Sequence, residues 1–529
     1  MLPLGAGEVL LPVVVASYFL FKNVAFLTAT TVLVVGVSSA LCYLKYKKTY
    51  WKRRGIPGPP TNLFLGNIPD MARPPQEVDV EWKQEYGRIF GTYMFGAADL
   101  TVCDISMVKQ IMCTDFANFV DRPQFLPYNS KDKTCLFQNS LNSREGEEWK
   151  ELRHQLTPAF TTGKIKNIIP LFNKCARIYL QVLDDHHKQN KPVDLNVVNH
   201  RLTMDTISQA AFGVDVHSQT SEKNPFMEHA SSFFTDMPLT LTFIWLFPNI
   251  LMKFQQYTGM QIVLPKSHNF FLDILNSLYE KRFKNKELSK SADFYEFILQ
   301  ALSKEHREAV DPSDSSPNTK SYEKIEINAQ AFLFLLAGYE TTAFTLTAAF
   351  YLLALNPEAQ EKARSEARRV VPGDSDVFYE QVSQLQYIDQ VISETLRMYT
   401  AGPRIWRMCT QSTQVGDYFI EKGTSITIPV NLLHYDEELY PDPHHFNPDR
   451  FSAEGKAERN PLAFLGFGAG PRNCIGARFA QIQMKILIAV VLRRFKLSVS
   501  EDAPRHPLKM NPGAFSRWGQ KLFVKLEPQ

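Results

Sequence analysis

From Val24 to Leu44 the chain carries no charged side chain. Six basic residues follow directly: Lys45, Lys47, Lys48, Lys52, Arg53 and Arg54. An apolar helix of that length covers the roughly 30 Å of a bilayer's hydrocarbon. The positive charge lies after the apolar run, which argues against a cleaved signal peptide. It instead places the following chain on the cytoplasmic side of a single-pass anchor. An earlier apolar stretch, Val9 to Phe21, is too short to span alone and contains Pro12, so it either extends the anchor or lies in the interface. Ile56-Pro57-Gly58-Pro59-Pro60 then forms a stiff connector. The expected organisation is an anchor with its stop-transfer segment over residues 1–54 and a body over residues 55–529.

Within the body, apolar residues recur at helical spacing over Trp149–Leu156, Ile325–Leu355, Pro357–Val370, Leu385–Tyr399 and Gly476–Phe495. Strand-like runs are short: Ile89–Phe95, Leu100–Cys103, Tyr418–Ile420 and Ser425–Pro429. The pattern predicts a mainly α body with a minor β-sheet part. There is no internal repeat, and the low-complexity stretch Asp311–Lys320 reads as a loop between two helical segments.

Composition changes this picture little. With 44% hydrophobic and 21% charged residues, the body is an ordinary globular chain. A net charge of +3, not gathered into a basic stripe, gives no sign of nucleic-acid binding. Seven cysteines without a CxxC pair argue against a disulfide framework and against a thiolate zinc site.

The chemistry gathers at Phe467-Gly-Ala-Gly-Pro-Arg-Asn-Cys474-Ile-Gly476. Three glycines and a proline in ten residues make a tight loop, and Gly468 and Gly470 let backbone approach a flat partner. Cys474 sits just before an apolar helix, whose N-terminus favours the thiolate. Taken alone, such a cysteine reads first as a small buried residue in a turn. On the longest helix, Thr341 can hydrogen-bond the Ala337 carbonyl four residues back and bend or open the helix. Glu340 beside it can relay protons, although a lone threonine in a helix also reads as packing. Gly338 removes a side chain where the helix would pass a bound group.

Phe467, Gly470, Arg472, Cys474 and Gly476 meet the spacing F-x-x-G-x-R-x-C-x-G, which resembles the haem-binding signature of the cytochrome P-450 family. Ala337-Gly338-Tyr339-Glu340-Thr341-Thr342 resembles the family's oxygen-activation pattern, and Glu394 with Arg397 its ExxR pair, with Arg450 as the third member. The resemblance extends from Trp149 to Cys474 and is similar to animal microsomal members near the broad-substrate drug- and steroid-oxidising group. It implies the cytochrome P-450 fold with an N-terminal transmembrane helix. It also implies haem b with Cys474 as axial ligand of the iron, and O2 as co-substrate. Trp149, Arg153, Arg407 and Arg472 would hold the propionates, Phe467 would belong to the cofactor site, and Glu340 and Thr341 would be catalytic. Glu394, Arg397 and Arg450 are assigned a structural role. One departure is Thr400, where the family usually has proline.

The expected activity is monooxygenation of a lipophilic substrate: a steroid, fatty acid or xenobiotic. Apolar pocket candidates are Phe119–Leu126, Phe332–Ala337, Thr400–Ile405 and Pro512–Phe515. The chain has no flavin or nicotinamide fingerprint. By resemblance, electrons come from an NADPH-dependent diflavin reductase of the endoplasmic reticulum, with cytochrome b5 as a further partner. Lys150, Lys164 and Lys166 are candidates for the docking face. The apolar run Pro238–Leu251 is either a second membrane contact or core. A peroxide isomerase and a haem sensor compete as readings; the intact Glu340–Thr341 pair speaks against both.

Overall fold

The computed structural model describes residues 6–23, 26–94, 97–124, 135–235, 246–258, 265–284, 293–303 and 322–529. Phe95, residues 125–126, most of Pro238–Leu251 and the loop Asp311–Lys320 lie outside the described residues. The chain forms two compact units. One comprises Met1–Thr134, Asp236–Pro265 and Arg404–Leu432, the other Cys135–Thr235, Lys266–Pro403 and Leu433–Gln529.

The first unit begins with two apolar helices, Ala6–Asn23 and Phe26–Lys47. Its core is a four-stranded sheet in the order Ile89–Met94, Ala97–Val102, Ser425–Pro429, Arg404–Met408. The middle pair is parallel and the outer pairs are antiparallel. Two buried carboxylates anchor it. Asp99 accepts from the hydroxyls of Thr92 and Thr427, each at 2.9 Å, and Asp79 receives the Arg404 guanidinium, with Nε 3.1 Å from both oxygens. The short helix Tyr50–Arg53 within the basic cluster is fastened by Trp51, whose Nε1 donates to the Thr92 carbonyl at 2.9 Å. A Cβ at Gly91 would fall 2.1 Å from the Trp51 ring, so only glycine fits there.

The second unit is built round the helix Lys324–Leu355, 32 residues long and buried along most of its length. It is long and apolar enough to cross a membrane, yet it is the core of this unit. It packs on Leu195–Phe212, a helix the sequence pattern missed. That helix has no apolar stripe because its buried side includes Asn199, Thr203 and Asp205. These are satisfied internally: Asn199 accepts from the Tyr179 hydroxyl at 2.7 Å and donates to Thr347 at 3.0 Å, while Thr203 donates to the Tyr339 carbonyl at 2.9 Å. The helices Ile169–Lys188, Pro265–Lys284 and Phe294–Leu302 were not singled out either, whereas the spans that were predicted held closely. The observed helices Gly146–Leu156, Pro357–Val370, Gln386–Met398 and Ala477–Arg494 differ from the predicted spans by a few terminal residues or none.

Glu394 and Arg397, one turn apart and fully buried, form a bidentate pair at 2.7 and 2.8 Å. The remaining valences are filled. Glu394 also accepts from the Asn447 backbone N–H at 2.9 Å and lies 3.5 Å from Arg450. Arg397 donates to the His434 carbonyl at 2.9 Å. A buried pair of charges is tolerable only with this degree of satisfaction. Arg450 itself holds the carbonyls of Pro441 and Asp442 at 2.5 and 2.6 Å.

The pair reaches the cysteine segment through His434, which the sequence did not single out. Its Nδ1 lies 3.0 Å from the Arg397 carbonyl, and its Nε2 accepts from the Leu465 backbone N–H at 2.9 Å. Its ring stacks on Phe464 at 5.5 Å. Facing one carbonyl and one N–H, the ring is satisfied as the neutral Nδ1–H tautomer. Burial, reinforced by the Arg397 charge, lowers its pKa to about 3.

A folded-state pKa below the unfolded value of roughly 6.5 means that the unfolded chain binds the extra proton first. His434 therefore contributes stability that is complete above about pH 6.5 and is lost as the pH falls toward about 3. His434→Leu leaves the buried Leu465 N–H without its acceptor and should cost about 1–3 kcal/mol. Urea unfolding across this window should show a shallower pH slope in the variant than in the wild type.

Candidate active site

The cysteine loop is shaped by two left-handed glycines, Gly468 (φ 70°) and Gly470 (φ 68°). It is closed by short backbone bonds. Gly468 N–H donates to Leu465 at 2.9 Å, Asn473 N–H to Gly470 at 3.1 Å, and Cys474 N–H to Phe467 at 2.9 Å. Phe467 is thus tied to Cys474 through its carbonyl. Cys474 is exposed, three residues before the helix Ala477–Arg494. A thiol meant only to fill a turn would be buried; this one is presented.

Arginines of the second unit hold the loop. Arg153, on Gly146–Leu156, donates through its two terminal nitrogens to the Asn473 carbonyl at 3.0 Å and side-chain oxygen at 3.1 Å. Burial lowers the Arg153 pKa, and the neighbouring Cys474 opposes that shift. Trp149, buried one turn earlier, lies under the Arg472 guanidinium at 4.5 Å. Arg472 donates to the Arg144 carbonyl at 2.5 Å. Arg144, unremarked in the sequence, is occupied by Glu148 at 2.8 Å and Glu326 at 2.6 Å.

Arg407 stands in the first unit, on the strand Arg404–Met408. Its side chain is fully buried, and burial, with Arg122 nearby, brings its pKa down to about 9. Its terminal nitrogen donates to the Trp406 carbonyl at 2.8 Å, while Nε has no hydrogen-bond partner among the described residues. A buried guanidinium in this condition calls for an anion.

On the central helix, Thr341 donates to the Ala337 carbonyl at 2.6 Å, and the helix stays regular through this turn. Ala337 is exposed and Thr341 partly so, in the middle of a buried helix. Gly338 does not serve the purpose read from the sequence. A Cβ there would lie 2.7 Å from Ile207, so the glycine is required by the crossing with Leu195–Phe212, a quarter-turn round the helix from Ala337.

Glu340 also points into that crossing. One oxygen meets His200 Nε2 at 3.2 Å and the other Arg517 Nε at 3.2 Å. Burial pushes the carboxyl upward, but His200 and Arg517 outweigh it and hold the pKa below the usual range. Neither partner was found from sequence, because they come from distant segments without a motif. Lys150, Lys164 and Lys166 each have local company: Glu147 at 2.5 Å, the Phe297 ring at 3.9 Å and Glu380 at 3.0 Å.

Within the second unit, a presented thiol, a guanidinium beside it and a small-side-chain surface on the central helix fit a flat metal macrocycle with carboxylates. Among known proteins, the Cytochrome P450 family model matches residues 56–525. Cytochrome P450 3A29 of Sus scrofa is 32% identical over 514 residues, covering 95% of this chain and 97% of that protein. Cytochrome P450 3A7 of Homo sapiens is 30% identical over 506 residues, covering 95% and 97% respectively. The chain belongs to the cytochrome P450 family and is a haem-thiolate monooxygenase that uses O2.

Proposed function

We propose that Cys474 is the axial thiolate of the haem iron and that Trp149, Arg153, Arg407 and Arg472 hold the propionates, with Phe467 shaping the loop. The observation that carries this reading is the exposed Cys474, held at the end of a hydrogen-bonded loop with Arg153 fixed to the adjacent Asn473. When bound, the haem iron supplies dioxygen activation, to which a thiolate ligand contributes electron density. The positive charge of Arg153 beside Cys474 favours the thiolate that such ligation needs.

Proton handling falls to the central helix. Thr341 directs its proton to Ala337, leaving its oxygen lone pairs to accept from water. Glu340 remains a carboxylate between His200 and Arg517. His200 Nδ1 lies 2.7 Å from the Asn196 carbonyl, so both ring nitrogens face acceptors. A proton can therefore be held at the contact between His200 Nε2 and Glu340 Oε2.

The substrate is lipophilic; steroids, fatty acids and xenobiotics are the classes proposed. Within the second unit, Phe332 meets Phe233 at 5.2 Å and Phe515 meets Phe234 at 5.8 Å, an apolar aromatic wall suited to such molecules. The redox partner is proposed to be an NADPH-dependent diflavin reductase, with cytochrome b5 as a second partner and Lys150, Lys164 and Lys166 on the docking face. Residues 1–54 are proposed as the anchor in the endoplasmic reticulum membrane, with the body on the cytoplasmic side, where Lys45 and Lys47 close the second helix.

Reduced wild-type protein with carbon monoxide should show a strongly red-shifted Soret band that Cys474→Ser lacks. Failure of the wild type to bind haem would end the proposal. Thr341→Ala should retain that band yet release several-fold more hydrogen peroxide per NADPH; unchanged coupling would remove Thr341 from proton delivery. His200→Phe takes away one partner of the Glu340 carboxylate and raises its pKa. The acid limb of the coupling profile should then move to higher pH, which a pH series of product per NADPH will read.

A further inference from the structure

We propose that His444 and His506 form a binding site for a divalent metal ion that prefers imidazole, zinc foremost. Both residues belong to the second unit, and neither enters the haem site described above. His444 lies in the turn closed by Asp442 and His445, and His506 lies ahead of the strand Met510–Asn511.

The two rings meet nitrogen to nitrogen. His444 Nδ1 lies 3.1 Å from His506 Nε2, with ring centroids 5.4 Å apart. Zinc bonds to imidazole nitrogen at roughly 2.1 Å, so two such bonds hold their nitrogens about 3.0 Å apart at a right angle and about 3.4 Å apart at the tetrahedral angle. The observed spacing falls between these values. A modest turn of the exposed His444 ring brings both lone pairs onto one ion. The proton between the rings must first leave, and a neutral imidazole can carry its proton on either nitrogen. His444 can hold it on Nε2, and His506 on Nδ1, which faces Tyr399 Oη at 2.7 Å.

Both halves of the site are held in place before an ion arrives. The His506 ring stacks on Tyr435 at 5.9 Å with 7° between the planes, and its Nδ1 is bonded to Tyr399. Tyr399 is fixed in turn: it accepts the Leu508 backbone N–H at 3.0 Å and lies against Trp518 at 5.2 Å. A partner on the far ring nitrogen is what orients a metal-binding histidine and sets its tautomer. On the other side, His445 N–H donates to the Asp442 carbonyl at 3.2 Å, and Arg450 holds the carbonyls of Pro441 and Asp442. Burial, followed by the charges of His444 and Arg397, lowers the His506 pKa to about 4. The ring is therefore neutral near pH 7, which is the form that binds metal.

The donor set selects the ion. No third histidine, cysteine or carboxylate joins the pair among the described residues, so water completes the coordination. Two neutral nitrogens suit zinc, copper or nickel, whereas magnesium and calcium demand oxygen. The cysteine pattern argues against a thiolate zinc site, and this one uses no thiolate. A bound ion ties the His444 turn to the segment after His506, which leads to Trp518, stacked on Phe344 of the central helix at 4.6 Å. An ion that binds only the folded chain stabilises it and slows the local opening that exposes the Leu508 N–H.

The test uses the full haem-loaded chain, treated with a chelator that leaves the haem in place, and Zn2+ alone as the probe. In equilibrium dialysis with radioactive zinc, the wild type should bind one more ion per chain than His444→Ala. His506→Phe, which keeps the ring stack on Tyr435, should lose the same ion. His445→Ala, at the neighbouring exposed histidine, should retain it, and His444→Cys, which supplies another zinc ligand, should restore it. Zinc should also slow hydrogen exchange at the Leu508 amide in the wild type and not in His444→Ala. Equal zinc uptake by the wild type and His444→Ala would overturn the site, as would retention of the ion by His506→Phe. Loss of the ion in His445→Ala would overturn the assignment to His444. Displacement of the zinc by excess Mg2+ would overturn it as well, because that places the ion on oxygen ligands.

Discussion

The second unit depends on a pair of opposite charges taken wholly out of water. Glu394 and Arg397 survive burial because every group they present is met: by each other, by the Asn447 N–H and by the His434 carbonyl. Such a pair contributes little net stability against an apolar substitute, and its loss from one side is costly. What it supplies is geometry. Through His434, which takes the Leu465 N–H, it sets where the chain enters the loop that closes on Cys474. The reactive thiol is positioned by a network several residues away from it.

The cation arrangement follows the same logic in reverse. Arg144 is buried and neutralised by two glutamates, so it belongs to the scaffold. Arg407 is buried without such company, which is why a ligand-binding role is proposed for it. Arg153 lies between these cases, bonded to Asn473 yet beside the thiol it influences. Local electrostatic satisfaction is the ground on which scaffold and ligand-binding roles are proposed for these arginines, since residue type alone does not distinguish them.

Much of this was legible in the sequence where a single segment carries the information. Helical periodicity located five of the helices, and the glycine spacing located the loop, because both are short-range properties. The helix Leu195–Phe212 escaped because its buried side mixes polar and apolar residues, and polar burial is paid for by partners more than 100 residues away, as Asn199 and Thr347 show. For the same reason His200, Arg517 and His434 were invisible: each acts through a contact that only folding creates. Gly338 illustrates the opposite error, a residue noticed correctly and attributed to the wrong neighbour.

The central claim is that the thiolate of Cys474 bonds to iron. X-ray absorption at the iron edge of the ferric haem-loaded protein tests this most directly, since it identifies the atoms next to the metal. One sulfur neighbour in the wild type, replaced by oxygen or nitrogen in Cys474→Ser, is the predicted result. An iron in the wild type surrounded by nitrogen and oxygen alone would contradict it.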